Sequence, residues 1–345
     1  MKKILYFWLF LWTGFINASL DLEDNVQDFV LETKQITIPN YPYAFNPSVI
    51  PWKDGFLLSF RVIPQPLLTF HSELGLIRLN KDFEPIGSAQ ILNTREPKAD
   101  VYSRAEDARL IFVDNKLWMV YTDNVDLTVS KGGFRMFLAE IVYDGMFFSL
   151  KNIEPITRFD NESKNRREKS WVPFNHNEEL LLAYSIDPHR IFRPIGTGAC
   201  ETVVTTKSNI SWQWGELRGG TQAFPVNEHE YLSFFHSSVP MATVHSDEKM
   251  MPHYFMGAYT FSLEYPFEIT RMSPFPIIGK NFYHGPKYKP YWGSVRVVFP
   301  CGFIQDDVFI WVVYGRQDHE VWVVKLDKTG LLESLVPVSL VEILP

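Results

Sequence analysis

"SRAEDARLIFVDNKLWMVYTD" (Ser103 to Asp123) begins with polar and charged residues, continues as an apolar strand pattern, turns, and runs on as a second apolar strand. Arg104, Glu106, Asp107 and Arg109 therefore stand at the mouth of a hairpin whose body reads as buried. The turn residues Asp114-Asn115-Lys116 tolerate the backbone a tight reversal needs. A charged mouth on a buried hairpin wants a reason, and the rest of the chain supplies one by repeating the pattern.

Four more segments share this grammar. They are "NPSVIPWKDGFLLSFR" (Asn46 to Arg61), "EKSWVPFNHNEELLLAYSIDP" (Glu168 to Pro188), "GGTQAFPVNEHEYLSFFHSS" (Gly219 to Ser238) and "VRVVFPCGFIQDDVFIWVVYGRQD" (Val295 to Asp318). Their turns are Lys53-Asp54-Gly55, His176-Asn177-Glu178, Asn227-Glu228-His229 and Gln305-Asp306-Asp307. Each second strand ends at a polar residue, namely Arg61, Asp123, Asp187, Ser237 or Asp318. Further strand-like pieces lie between them: "ELGLIRLN", "FRMFLAEIVYD", "HYFMGAYTFS" and "EVWVVKLDK". Two such pairs give four strands per unit. Long helical periodicity is absent; "DNVQDFVLETK" (Asp24 to Lys34) is the best helix candidate.

The expected fold class is all-β, a five-bladed β-propeller with its site at one mouth of the central channel. The first three turns are spaced by about sixty residues, more than a minimal blade needs, so long loops are expected. In such a fold the polar hairpin mouths meet at one funnel, which accounts for Ser103 to Arg109. A two-sheet sandwich, or two β domains with turn residues scattered on a rim, is the alternative. The expected division is an export signal over 1–18, an N-terminal extension over 19–45 and the propeller over 46–345.

Composition narrows the function. The chain has 345 residues, 46% apolar and 21% charged, with 28 Phe, 15 Tyr and 10 Trp. Aromatics favour strands and also wall sugar sites. The formal charge is −7 with no basic run, which argues against nucleic acid as a partner. Lys2 and Lys3 precede the apolar run "ILYFWLFLWTGFI", and "INAS" offers Ala18 for cleavage, so export to the periplasm or medium is expected. An uncleaved anchor is the alternative; no later stretch is apolar enough for a membrane span. Cys200 and Cys301 are the only cysteines, and export permits a bridge that their spacing does not establish.

Taken in order, "FNPSVIPWKDGFLLSFR", "EDARL", "EKSWVPF", "RGGTQ", "FFH" and "VVFPCGFIQDDVFIWVVYGRQD" resemble glycoside hydrolase family 130, the β-mannoside phosphorylases and β-1,2-mannosidases. The resemblance covers roughly Asn46 to Asp318 and implies the same five-bladed propeller. It implies that Asn46 and Ser48 contact the mannosyl unit at the cleaved bond. Arg61 and Asp318 match sugar-contacting residues of the family. Asp107 matches its catalytic aspartate, a general acid that in the phosphorylases acts through a sugar hydroxyl. Arg167, Arg218 and His236 match residues on the phosphate or acceptor side. Where the phosphorylases carry an arginine after the third hairpin, this chain has "YSIDP", with Ser185 at that position. That departure favours water or a sugar hydroxyl over phosphate as the incoming group.

The residues can also be read without the family. A glycosidic bond needs a proton donor for the leaving oxygen and an incoming group delivered to the anomeric carbon. Glu106 and Asp107 are adjacent, so on a regular strand they point to opposite faces and only one faces the channel. Asp107 is the choice, because Arg109, two residues on, would share its face and hold it; a purely structural ion pair is the alternative. Glu168, Glu201 and Asp318 are the candidate bases, and Glu168 stands among Arg166, Arg167 and Lys169. An incoming phosphate would need Arg167, Arg218 and His236, with Gly219-Gly220 letting backbone N–H groups approach. His245, His253, His284 and His319 have no spacing that demands a metal, and no metal or cofactor is expected beyond phosphate as a co-substrate. Trp171, Tyr254, Tyr288 and Trp292 are candidates for stacking on sugar rings.

The expected function is thus a glycosidase-type enzyme on β-mannosides or oligosaccharides, working by hydrolysis, mannosyl transfer or phosphorolysis. A catalytically silent glycan-binding propeller is the alternative. A five-bladed glycosidase of the arabinan or fructan type would need three carboxylates from separate blades, and no convincing third partner can be named.

Overall fold

Turn chemistry sets the first level of structure. Val113 pairs with Lys116 across Asp114 and Asn115, whose φ angles are +48° and +56°. His176 pairs with Glu179 across Asn177 and Glu178, at +51° and +65°. Two consecutive positive φ values make a reversal whose twist matches that of the flanking strands. The computed structural model describes residues 20–64, 71–95, 103–125, 133–163, 166–285 and 295–344. The apolar stretch expected to direct export lies outside them, as do Tyr288 and Trp292.

The strands form five antiparallel sheets, the blades of a propeller. Blade 1 runs Phe45–Trp52, Gly55–Val62, Glu73–Leu79 and Pro85–Ile91 from the axis outward. Blade 2 runs Glu106–Val113, Lys116–Asn124, Phe134–Tyr143 and Phe148–Pro155. Blade 3 runs Val172–His176, Glu179–Ser185, His189–Gly196 and Ala199–Ser208. Blade 4 is built on Glu230–Met241, Met251–Ser262 and Ile269–Met272, with Arg218–Gly219 and Phe224–Pro225 as its broken inner strand. Blade 5 takes Val298–Gln305, Phe309–Arg316 and Glu320–Asp327 from one end of the chain and Val30–Ile36 from the other.

Val30–Ile36 corrects two expectations. "DNVQDFVLETK" is not a helix: one 3-10 turn, Leu22–Asn25, gives way to this strand, which pairs antiparallel with Glu320–Asp327. Nor is 19–45 an extension outside the propeller, since it supplies the outermost strand of blade 5 and closes the ring. Edge pairing decides both outcomes: the outer face of Glu320–Asp327 offers unpaired backbone groups that a helix could not satisfy. The C-terminal chain acts likewise, with Val336–Pro337 pairing on blade 4 and Leu340–Leu344 on blade 3.

Each seam between neighbouring blades holds its own apolar cluster. Ile50, Leu76 and Leu110 pack in the seam of blades 1 and 2, and Met136, Trp171 and Phe192 in that of blades 2 and 3. Phe174, Tyr231 and Phe261 fill the next seam, Phe234, Phe303 and Val312 the one after, and Val49, Ile77 and Val323 the last. Side chains alternate faces along a strand, so every inner strand feeds two seams. This accounts for the aromatic richness and places Trp171, 1% exposed, in the core rather than at a sugar. Cys200 and Cys301 are both buried and unbridged, one between blades 2 and 3 and one near the axis.

Candidate active site

Along the axis the inner strands are knitted together by buried polar side chains. Gln222 donates from Nε2 to the carbonyls of Val49 (2.9 Å) and Phe303 (3.2 Å). Leu110 N–H donates to Ser48 Oγ at 3.1 Å. Arg109 Nε donates to Gly220 O at 2.7 Å, and its Nη1 to the Asp107 backbone carbonyl at 2.6 Å. Ser48 and Arg109 are wholly buried in this layer, and neither lines the cavity above it. Ser48, expected at the mannosyl unit, and Arg109, expected to bind substrate on the face of Asp107, lie instead in the floor below the cavity.

Above the floor opens a cavity of about 580 Å³, lined from all five blades. Seven of the ten site residues expected from sequence lie on its wall: Asn46, Arg61, Asp107, Arg167, Arg218, His236 and Asp318. Glu168 does not. It is buried beside the cavity, accepts a hydrogen bond from Trp171 Nε1 at 3.3 Å, and burial pushes its carboxyl above the usual range. Glu201 is half-exposed on blade 3, paired with Arg193 at 2.8 Å, and is likewise not part of the wall. Ser185 lines a neighbouring cavity with Arg166 and Arg190.

Residues not expected as site residues also line the wall, among them Glu106, Lys169, Arg104, Ser72, Phe134 and Phe299. Glu106 is the instructive miss. Adjacent strand residues should face opposite ways, yet Glu106 and Asp107 both line the cavity. Asp107 has φ +54°, and the pairing register with the next strand slips between Glu106 and Arg109. This bulge turns two successive side chains toward the axis and drops Arg109 one layer down. Blade 1 repeats the device: Asn46 has φ +47° and the register slips between Phe45 and Ser48. No local signal in the sequence marks either bulge, since strict alternation is the default reading of a strand.

The two bulged residues meet. Asn46 Nδ2 donates to Asp107 Oδ1 at 2.8 Å. Arg61 spans both carboxylates, with Nη1 3.5 Å from Asp107 Oδ1 and Nη2 3.1 Å from Glu106 Oε1. Its Nε donates to Ser72 Oγ at 3.0 Å, which fixes the fork. Lys169 Nζ pairs with Glu106 Oε2, so both oxygens of Glu106 face a cation. Burial pushes the Asp107 carboxyl up, but Arg61, then Lys169, Arg109 and the Asn46 amide outweigh it, and the carboxyl lies below its ordinary range. His236 stands opposite, cross-strand from Arg218, its ring 4.3 Å from that of Phe299. Burial, with Arg218 and Arg109 nearby, holds it neutral, and its Nδ1 is enclosed with no hydrogen-bond partner. Tyr254 lines the wall beside it, the two rings 12° from parallel at 6.1 Å.

A polar cavity at a propeller mouth, holding one carboxylate gripped by an amide and a guanidinium beside aromatic faces, is a glycosidase-type site. The chain belongs to glycoside hydrolase family 130: residues 19–335 match the family profile described as beta-1,4-mannooligosaccharide phosphorylase. Family members act on β-mannosidic linkages. No curated protein matches the chain. Solved structures share its fold. A glycosyl hydrolase from Bacteroides ovatus is 15% identical over 92% of this chain and 94% of its own, with a TM-score of 0.59. A mannose phosphorylase from Leishmania mexicana, solved with a phosphate ion, is 13% identical over 93% of each chain, at 0.58. A beta-1,2-mannobiose phosphorylase from Listeria innocua is 15% identical over 90% of this chain and 95% of its own, at 0.55.

Proposed function

We propose that this protein cleaves β-mannosides by phosphorolysis, with Asp107 as the proton donor. The observation that carries the reading is the charge of the wall. Five cations, Arg61, Arg104, Arg167, Lys169 and Arg218, face three carboxylates, Glu106, Asp107 and Asp318. Arg61 and Lys169 are used on Glu106 and Asp107. Arg167, in the loop before blade 3 and over the Phe134 ring, and Arg218 on blade 4 line the same wall and with His236 suit an incoming phosphate. Ser185, where the phosphorylases carry an arginine, lines the neighbouring cavity, and Arg167 and Arg218 supply cations to this wall. This cationic wall supports phosphate as the incoming group, against the preference for water or a sugar hydroxyl that Ser185 suggests.

Chemistry agrees with this assignment. Hydrolysis with a single acid requires a second carboxylate free to activate water. Glu106 is a poor base, since both its oxygens face cations, which leaves Asp318 as the one wall carboxylate a hydrolytic reaction would have to use. Phosphate arrives already anionic and needs no base. One of its oxygens bonds to the anomeric carbon as the glycosidic C–O bond breaks, and the leaving oxygen takes a proton from Asp107. In the free protein Asp107 is held ionised, so it must first load that proton. A phosphate dianion bound nearby offsets the surrounding cations and raises the carboxyl, which couples donor loading to co-substrate binding.

The test is to incubate the purified protein with β-1,2- and β-1,4-linked mannobiose, with and without inorganic phosphate. Phosphate-dependent mannose 1-phosphate is expected. Free mannose formed equally well without phosphate would replace the reading by hydrolysis. Binding without turnover would make the protein a glycan-binding propeller.

A further inference from the structure

Far from the mannoside site in sequence, Asp21, His245 and His284 bring three ligand atoms within 4.8 Å of one another. His245 Nε2 lies 3.0 Å from Asp21 Oδ1, and the rings of His245 and His284 meet edge to face at 4.6 Å. Glu23 adds a second carboxylate, its Oε2 2.8 Å from His284 Nδ1. A tetrahedral zinc ion with bonds of about 2.0–2.1 Å holds its donors roughly 3.3 Å apart, so small side-chain rotations suffice here. Leu22 N–H donates to His245 Nε2 at 3.3 Å, so an ion bound there would take over the lone pair that this weak hydrogen bond now uses.

We propose that Asp21, His245 and His284 form a structural site for a divalent transition ion of the zinc type, with Glu23 or water as the fourth ligand. Two imidazoles and a carboxylate suit such an ion better than calcium or magnesium, which prefer oxygen donors. The ligands come from three places: the N-terminal 3-10 turn, the short turn Val244–Ser246 after the second strand of blade 4, and the segment before blade 5. An ion here pins the N-terminal segment that closes the ring.

It also braces the wall of the mannoside cavity. Arg296 Nε donates to the His245 carbonyl, and its neighbour Val297 lines that cavity. Tyr283, next to His284, donates from its hydroxyl to the carbonyl of the cavity residue Tyr254 at 2.8 Å. Glu23 accepts from the N–H groups of Asn281 (2.9 Å), Tyr283 (2.7 Å) and His284 (2.9 Å), so the segment carrying His284 is already held against the N-terminus. The ion would complete a clamp that these hydrogen bonds begin.

The test uses untagged protein stripped with a chelator and titrated with Zn²⁺ or Co²⁺. One equivalent should bind, raise Tm by about 5 °C at saturating ion, and give Co²⁺ the visible absorption of a tetrahedral site. His284→Ala, on an exposed side chain, and Asp21→Asn, on a separate segment, should each fold normally and lose both effects. Failure of wild type to bind micromolar Zn²⁺, or binding unchanged in both variants, would overturn the proposal. Calcium and magnesium raising Tm as much as zinc would overturn it too.

Discussion

Asp107, the proposed proton donor, also carries backbone strain. Its backbone sits in the left-handed region at φ +54°, its carbonyl is held by Arg109, and its carboxylate by Asn46 and Arg61. A positive φ on a residue other than glycine is kept only where the surroundings over-determine it. Asp107→Asn preserves the shape and removes the transferable proton. It should lower kcat by about 10²–10⁴ while mannoside binding, measured calorimetrically, survives. A kcat within tenfold of wild type would assign the donor elsewhere. Arg218→Ala should instead raise the KM for phosphate by tenfold or more with a smaller effect on the KM for mannoside. Equal changes in both would mean that Arg218 shapes the cavity without meeting phosphate.

Among the elements, the bulged inner strands of blades 1 and 2 do what regular strands cannot: blade 2 turns Glu106 and Asp107 together into the cavity, and blade 1 brings Asn46 against Asp107. The bulge of blade 1 needs room, and Gly315 in the second strand of blade 5 provides it. A Cβ on Gly315 would lie 2.0 Å from Asn46 Oδ1 and 2.8 Å from its backbone nitrogen. Gly315→Ala should therefore displace Asn46 from Asp107. Overpacking of this kind costs about 1–3 kcal/mol, readable as a lower denaturant midpoint, and turnover should fall with it. Stability lost with turnover intact would show that Asn46 does not position the donor. Hairpins and turns were legible because their signals are local: Asp114-Asn115 and Asn177-Glu178 dictate reversals whatever surrounds them. The bulge was not legible, because alternation is the default and the slip at Asp107 is stabilised by Gly220 O, which reaches Arg109 from a distant blade.

For the molecule as a whole, ring closure is the controlling event. Val30–Ile36 seals blade 5, and Leu22 and Ile36 enter the two seams on either side of it. Removing residues 20–36 would bare the edge of Glu320–Asp327 and take Leu22 and Ile36 out of both seams, each side chain worth about 1.5–3 kcal/mol when buried. The truncated chain should lose 10 °C or more in Tm and associate through its open edge, seen by thermal unfolding and size-exclusion chromatography. A monomer of unchanged Tm would show that blade 5 is complete with three strands. The pairing was invisible in the sequence because the two strands lie at opposite ends of the chain. A lone strand of ambiguous periodicity reads as a helix until its partner is known.

The amino-acid order by itself determined the five hairpins, the polar residues at their mouths and the family they belong to. These rest on turn chemistry, alternation and ordered motifs, all written within a few residues of one another. Only the tertiary structure decided that Ser48 and Arg109 support the site from below, that Glu106 joins Asp107 at the cavity, and that the first strand belongs to the last blade. Each of those outcomes depends on which backbone groups a distant segment leaves unpaired, and that is settled only when the blades gather around one axis.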